Sequence, residues 1–151
     1  MDVAVVGTGY VGLVAGVCLA DLGHRVTCVD KDVNKVETLR RGRLPIYEPG
    51  LGELLPTNLA SGRLTFTTDL PEAMERAEVV FIAVGTPPGE DGAADLQHVE
   101  AVAHAIGNAL SSYTVVVVKS TVPVGTCERV QSVIATACSH PFDVVSNPEF
   151  L

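Results

Sequence analysis

The stretch Gly7-Thr8-Gly9-Tyr10-Val11-Gly12 decides how this chain folds. It follows an apolar run, residues 3–6, that is typical of a buried strand, and it precedes an apolar segment, residues 13–20, that is typical of a packed helix. The spacing Gly-x-Gly-x-x-Gly at a strand-to-helix turn predicts a dinucleotide-binding turn. The alternative is a glycine-rich turn inside another kind of α/β domain.

Each glycine of this turn has a separate physical task. Gly7 permits the tight turn, Gly9 lets a pyrophosphate approach the backbone, and Gly12 lets the helix pack closely on the strand. The helix opens with Tyr10 and Val11, and its free N–H groups and positive dipole end face the diphosphate. We therefore expect these five residues to contact the cofactor.

An acidic residue follows the turn at the distance that the motif requires. Residues 25–30 are typical of a second strand, and Asp30 lies at its carboxyl end, eighteen residues after Gly12. A carboxylate there accepts hydrogen bonds from the adenosine ribose and repels a 2′-phosphate, so Asp30 favours NAD over NADP. The alternative for Asp30 is a helix cap or a loop carboxylate. Lys35 lies about one helical turn further on and is expected to reach the ribose or a phosphate, with a solvated lysine as the alternative.

The rest of the chain alternates strands and helices. The predicted strands are residues 2–7, 25–30, 64–67, 79–84, 114–119 and 142–146. The predicted helices are residues 10–23, a helix capped by Asp32 and ending near residue 41, 51–60, a short helix opening at 69–72, 96–110, and one from about 126 to 138. Pro56 is expected to interrupt the third helix or to start a new one.

These elements predict one domain over residues 1–151. Right-handed crossovers give a Rossmann-type, doubly wound α/β fold, with a mostly parallel six-stranded sheet in the order 3-2-1-4-5-6 and helices on both faces. The loop 85–92 then follows the strand that flanks the first one, at the crevice where the strand order reverses. Thr86 in this loop is expected to meet the cofactor, and an ordinary turn threonine is the alternative.

Composition excludes several classes of function. Ten basic and eighteen acidic residues give a formal net charge of −8, so a general basic footprint for nucleic acid is absent. No apolar run is long enough to span a membrane, and residues 3–20 lack the basic flank of a signal peptide. Four cysteines match no zinc-binding spacing and the four histidines are scattered, so we expect no metal site. Cys18 and Cys28 are expected to be small apolar side chains in a reducing, cytoplasmic compartment.

Six stretches together resemble the UDP-glucose/GDP-mannose dehydrogenase family, and the resemblance covers the whole chain as the N-terminal domain of that family. The stretches are Gly7-Thr8-Gly9-Tyr10-Val11-Gly12-Leu13, Val29-Asp30 with Lys35, Tyr47-Glu48-Pro49-Gly50-Leu51, Val84-Gly85-Thr86-Pro87, Lys119-Ser120-Thr121-Val122-Pro123-Val124-Gly125-Thr126 and Ser146-Asn147-Pro148-Glu149-Phe150-Leu151. The resemblance implies NAD as cofactor, a nucleotide sugar as substrate, and a homodimer for the full-length family. It implies oxidation of the sugar C6 alcohol to a carboxylate with two NAD⁺.

The resemblance also implies roles for single residues. Thr121 would lie near the cofactor and, with Glu149, beside the reacting carbon. Glu149 would activate or orient water for hydrolysis of a thioester intermediate, which needs a carboxylate within one water of the carbonyl. From the residues alone, Glu149 is equally a cap or loop glutamate. Phe150 and Leu151 match positions whose backbone contacts the sugar nucleotide.

In the family the nucleophilic cysteine, a lysine that stabilises the oxyanion and most of the nucleotide pocket lie beyond residue 151. The resemblance therefore predicts a truncated, cofactor-binding part that is inactive alone. UDP-glucose is the substrate it favours. GDP-mannose, an N-acetylated UDP-sugar, or a non-catalytic NAD-binding module remain alternatives.

Overall fold

A single six-stranded sheet organises the chain, for which the computed structural model describes residues 1–89 and 92–149. All neighbouring strands are parallel, and their order is β3-β2-β1-β4-β5-β6, as the sequence predicts. The strands are β1 (Asp2–Val6), β2 (Arg25–Val29), β3 (Leu64–Thr67), β4 (Val79–Ile82), β5 (Thr114–Val118) and β6 (Phe142–Ser146). The predicted doubly wound α/β fold is confirmed.

Helices cover the sheet on both faces and bury two apolar clusters against it. The helices are α1 (Tyr10–Asp21), α2 (Val33–Arg40), α3 (Leu51–Ala60), α4 (Leu70–Met74), α5 (Gln97–Ala109) and α6 (Thr126–Ala137). One cluster joins α1, α2 and α3 to β1, β2 and β3. The other joins α4, α5 and α6 to strands on the opposite face. Strands buried on both faces explain why their sequences are nearly continuous apolar runs.

Four strands end earlier than their apolar patterns predict. β1, β2, β4 and β5 end at Val6, Val29, Ile82 and Val118, one or two residues before the expected ends. The residues that leave the sheet there, Gly7, Asp30, Ala83, Val84 and Lys119, all line cavities at the carboxyl edge. The strands therefore stop where backbone and side chains turn to form the candidate site.

Two expectations about the helical layer are wrong. Pro56 neither interrupts nor restarts a helix, because α3 runs through it from Leu51 to Ala60. The proline removes the N–H that would bond to the carbonyl of Gly52, and the burial of Leu51 and Leu55 holds the helix together despite that loss. Cys18 is exposed on α1 instead of packed in the core, whereas Cys28 is buried as expected.

Candidate functional site

The candidate site lies at the carboxyl edge of the sheet, where the order of the strands reverses between β1 and β4. Two cavities meet there, one of about 580 Å³ and one of about 250 Å³. Both are lined by Gly9 of the turn and by residues 83–85 after β4. Open parallel sheets bind ligands at this position, because loops from both halves of the sheet converge there.

The glycine turn has the geometry that a closely approached backbone requires. Gly7 has a φ of +100°, and a Cβ on it would lie 2.6 Å from the carbonyl oxygen of Ala83. A Cβ on Gly12 would lie 1.9 Å from the carbonyl oxygen of Gly7. A Cβ on Gly9, by contrast, would meet no described heavy atom within 4 Å. Gly7 and Gly12 are therefore needed for packing, while Gly9 faces open space beside both cavities.

Helix α1 presents its amino end to the same space. Gly9 is its N-cap and, within the described residues, no side chain caps it. Its first hydrogen bond runs from the Leu13 N–H to the Gly9 carbonyl at 2.9 Å. Tyr10 and Val11 line the smaller cavity, and the Tyr10 hydroxyl donates to a carboxylate oxygen of Glu48. The first amides of the helix are thus available for an anion, which the helix dipole favours.

Asp30 sits in a dense set of hydrogen bonds at the end of β2. Its Oδ2 accepts from the Thr8 hydroxyl at 2.6 Å, from the Thr8 N–H at 2.9 Å and from the Lys35 ammonium at 3.0 Å. Its Oδ1 accepts from the Asp32 N–H at 3.0 Å. Burial opposes the charge on Asp30, but the bonds from Thr8, Asp32 and Lys35 outweigh it and lower the pKa of Asp30 from 3.8 to about 2. Asp30 is therefore an ionised acceptor on the wall of the larger cavity.

The opposite wall of the larger cavity comes from α5, which the sequence analysis did not assign to the site. His98, Ala101, Val102 and Ala105 face the cavity from this helix. Their spacing of three and four residues marks one helix face. The sequence contains that pattern, but only the fold shows that part of this face is turned to a cavity.

Hydrogen bonds join the loops after β4 and β5 in the wall of the smaller cavity. The Thr86 hydroxyl donates to the carbonyl of Thr121 at 2.8 Å. The buried Ser120 hydroxyl donates to the carbonyl of Val84 at 2.7 Å. Thr86 and Thr121 both line this cavity, as does Ser120, which the sequence analysis did not single out.

Glu149 lies in the same smaller cavity, with Lys119. Its Oε2 is buried and has no hydrogen-bond partner among the described residues. Buried polar atoms are nearly always paired, so an unpaired carboxylate oxygen in a cavity favours a polar ligand or water beside it. Phe150 and Leu151, the other predicted substrate contacts, lie outside the described residues.

The described part of the chain contains neither a helix long and apolar enough to cross a bilayer nor a group of three His, Cys, Asp or Glu side chains placed to hold a metal.

The comparisons with known proteins agree with this geometry. The model of the "UDP-glucose/GDP-mannose dehydrogenase family, NAD binding domain" matches residues 1–151. UDP-glucose 6-dehydrogenase of Rhizobium meliloti is 55% identical over 100% of this chain, which spans 35% of that protein. UDP-glucose 6-dehydrogenase TuaD of Bacillus subtilis is 52% identical over 99% of this chain, which spans 33% of that protein.

Solved structures give the same picture. A UDP-glucose dehydrogenase from Pyrobaculum islandicum superimposes with a TM-score of 0.95 at 50% identity, over 99% of this chain and 36% of that one. A GDP-mannose dehydrogenase from Pseudomonas aeruginosa superimposes with a TM-score of 0.96 at 40% identity, over 100% of this chain and 36% of that one. The chain therefore spans about a third of the length of the relatives it matches.

Proposed function

The chain belongs to the UDP-glucose/GDP-mannose dehydrogenase family as its NAD-binding domain, and on this premise we propose that it supplies the cofactor-binding part of a UDP-glucose 6-dehydrogenase. Such an enzyme converts the C6 alcohol of UDP-glucose to the carboxylate of UDP-glucuronate, with two NAD⁺ and one water. NAD, when bound, accepts a hydride from the sugar carbon. The observation that carries the proposal is that the glycine turn, Asp30 and Glu149 line two neighbouring cavities, which share Gly9 and residues 83–85 in their walls.

The residues present fit the cofactor. Gly9 leaves open space against the backbone, and the amino end of α1, which no described side chain caps, offers N–H groups for a diphosphate. Asp30 and Lys35 line the larger cavity and would hold the adenosine ribose. Thr86 and Thr121 line the smaller cavity and would lie beside the nicotinamide end.

Glu149 is the proposed group that activates or orients water. Its buried Oε2, for which the described residues provide no hydrogen-bond partner, supports this role, because an acceptor facing a cavity can take a hydrogen bond from a water molecule there. Water held in this way is oriented for attack on a thioester carbonyl. Thr121 would lie next to the reacting carbon, and Phe150 and Leu151 would contact the sugar nucleotide.

The proposed partners follow from the same assignment. The nucleotide sugar would bind together with the domains that the relatives carry beyond this third, and those domains would supply the thiol nucleophile and the homodimer contact. We propose a cytoplasmic enzyme with neither nucleic acid nor membrane as a partner, in keeping with the net charge of −8. GDP-mannose or a UDP-N-acetylhexosamine is the alternative substrate.

The cofactor assignment predicts that the chain binds NAD⁺ more tightly than NADP⁺. Asp30 repels a 2′-phosphate and offers an acceptor to a 2′-hydroxyl. Asp30→Ala should weaken NAD⁺ binding by about 1–3 kcal/mol through loss of charged hydrogen bonds to the ribose. Isothermal titration calorimetry with both cofactors measures this. Equal or tighter binding of NADP⁺ by the unaltered chain would count against the assignment.

The catalytic assignment is tested in a chimera in which residues 1–151 replace the matching third of the Rhizobium meliloti enzyme. We expect the chimera to reduce NAD⁺ with UDP-glucose and the chain alone to form no NADH above background. Glu149→Gln in the chimera should slow hydrolysis more than the first hydride transfer, since glutamine cannot take a proton from water. A covalent intermediate should then appear as a mass increase after quenching.

Glu128→Gln is the matched control for this experiment, because Glu128 is an exposed carboxylate on α6 that lines neither cavity. Normal turnover of the Glu149→Gln chimera without a mass increase would make Glu149 a structural residue. NADH formation by the chain alone would show a complete active site within residues 1–151. The same exchange made in the Pseudomonas aeruginosa GDP-mannose dehydrogenase tests the alternative substrate. Activity of the chimera only when it carries the remaining domains of the GDP-mannose dehydrogenase would favour the alternative substrate.

A further inference from the structure

Thr8 is the buried polar residue of the glycine turn, at a position that the Gly-x-Gly-x-x-Gly pattern leaves open. Its residue is 1% exposed, so its hydroxyl has almost no access to water. A buried hydroxyl needs a partner inside the protein, and this one donates to Asp30 Oδ2 at 2.6 Å. The Thr8 backbone N–H donates to the same oxygen at 2.9 Å. The turn is therefore fastened to the end of β2 through one carboxylate oxygen.

The two oxygens of Asp30 are used unequally. Oδ2 accepts three donors, namely the Thr8 hydroxyl, the Thr8 N–H and the Lys35 ammonium. Oδ1 accepts a hydrogen bond from the N–H of Asp32, its partner among the described residues. A carboxylate offers roughly four lone-pair directions in all, about two on each oxygen. Donors from the protein thus occupy the lone pairs of Oδ2, and Oδ1 is the oxygen that can accept a further hydrogen bond from a ligand.

The same contacts hold Lys35 against Asp30. The side chain of Asp30 is 10% exposed and that of Lys35 is 30% exposed, so the pair lies at the cavity wall. With Asp30 fixed by Thr8, the ammonium is held at Oδ2, beside a carboxylate whose charge repels a phosphate. Loss of the Thr8 hydroxyl removes the shortest of the three bonds to Oδ2, which loosens the carboxylate and lets Lys35 turn toward an anion on the ribose.

We propose that Thr8 is a positioning residue for cofactor choice: by saturating Asp30 Oδ2 it aims Oδ1 at a ribose 2′-hydroxyl and keeps Lys35 away from a 2′-phosphate. This inference rests on the proposed function, since it assigns a determinant within the proposed NAD site. It adds a neutral hydroxyl, buried behind the acidic residue, to the elements that decide between NAD and NADP.

The test compares Thr8→Val, Thr8→Ser and the unaltered protein by calorimetry with NAD⁺ and NADP⁺. Valine keeps the branched shape and removes the hydroxyl, whereas serine keeps the hydroxyl. We expect Thr8→Val to weaken NAD⁺ binding about tenfold, the scale of a hydrogen bond to a charged group. NADP⁺ binding should stay the same or become tighter, because a 2′-phosphate does not use the Asp30 acceptor and Lys35 is released to meet it. Thr8→Ser should restore the NAD⁺ preference.

Thr57→Val on the exposed side of α3 controls for the exchange of a hydroxyl for a methyl group. Thermal unfolding without cofactor reports whether the Thr8→Val variant is folded. If that variant does not fold, Thr8→Ala is measured in its place and judged by the same criteria. Equal losses for both cofactors would make Thr8 a structural part of the turn, and unchanged selectivity would also overturn the proposal. A wild-type protein that binds neither cofactor would overturn the proposed function itself, whereas an unchanged ratio of NAD⁺ to NADP⁺ affinity in Thr8→Val overturns this inference alone.

Discussion

Asp30 shows how a single residue at the candidate site depends on contacts that are distant in sequence. The spacing from Gly12 predicts an acceptor at the end of β2. It does not predict that Thr8, twenty-two residues earlier, donates twice to the same carboxylate. Burial opposes the charge on Asp30, but those donors, together with Asp32 and Lys35, outweigh it and lower the pKa of Asp30 to about 2, so its ionised form is part of the folded structure.

The depressed pKa of Asp30 gives a prediction for stability in acid. The pKa of Asp30 is about 2 in the folded chain, whereas its ordinary value, which applies to the unfolded chain, is 3.8. As the pH falls, the unfolded chain therefore takes up the proton first. The stabilisation from ionised Asp30 is therefore complete above about pH 4 and is lost between about pH 4 and about pH 2. Urea unfolding of the wild type and Asp30→Asn at several pH values should show their difference shrinking over that window.

Asparagine is the suitable comparison because it keeps the size of the side chain and removes the ionisation. A difference in unfolding free energy that stays constant from about pH 5 to about pH 2 would show that Asp30 has the same proton affinity in both states. The network described around Asp30 would then not act on its charge.

At the scale of elements, the contact between α1 and β2 depends on one glycine. A Cβ on Gly16 would lie 2.5 Å from the Sγ of Cys28, which is buried against the helix. The same burial raises the pKa of the Cys28 thiol to about 12, so it remains a neutral, tightly packed group. Helix α1 can approach the sheet this closely because position 16 has no side chain.

The change in the free energy of unfolding caused by Gly16→Ala should therefore have opposite signs with cysteine and with alanine at position 28. In the wild type the added methyl overpacks the contact, at a cost of about 1–3 kcal/mol. In a Cys28→Ala background the space is free, and the higher helix propensity of alanine should stabilise by up to about 1 kcal/mol. A double-mutant cycle measured by urea unfolding gives the coupling. The same free-energy change in both backgrounds would contradict the close contact.

The ends of the strands show where pattern-based prediction stops. Periodicity placed β1, β2, β4 and β5 correctly, but it extended each to the last apolar or motif residue. Gly7 leaves β1 because of its φ of +100°, and Asp30 leaves β2 to accept from Thr8. The first cause is local and lies in the glycine pattern, whereas the second is a tertiary contact that no local pattern contains.

At the scale of the whole molecule, the order of the strands was predictable because few topologies satisfy the rules. Apolar strands alternating with helices require a parallel sheet, and right-handed crossovers with a glycine turn after β1 lead to the order 3-2-1-4-5-6. The site was predictable to the extent that it lies at carboxyl ends of strands. The wall from α5, including His98 and Ala101, was not, because a helix face turned to a cavity has the same pattern as one turned to the core.

Lys119 and Glu149 show the same limit of pattern-based prediction for residues that are far apart in the sequence. They belong to different loops, after β5 and β6, and they meet in one cavity because those two strands are neighbours in the sheet. Their motifs identify them by resemblance, whereas the physical reason that they share a cavity is that β5 and β6 pair in the sheet. That Oε2 of Glu149 finds no hydrogen-bond partner in the described part of the chain could not have been inferred without the surrounding structure.

The bond between the Thr86 hydroxyl and the Thr121 carbonyl has a consequence for the thermodynamics of association. Two separate loops that must become ordered around a ligand lose conformational entropy when it arrives, and that loss subtracts from affinity. Here the loops after β4 and β5 are already joined to each other, and Ser120 joins the second of them to the backbone of the first. This part of the cavity wall is ordered in advance, so less of the contact energy is consumed in immobilising the protein.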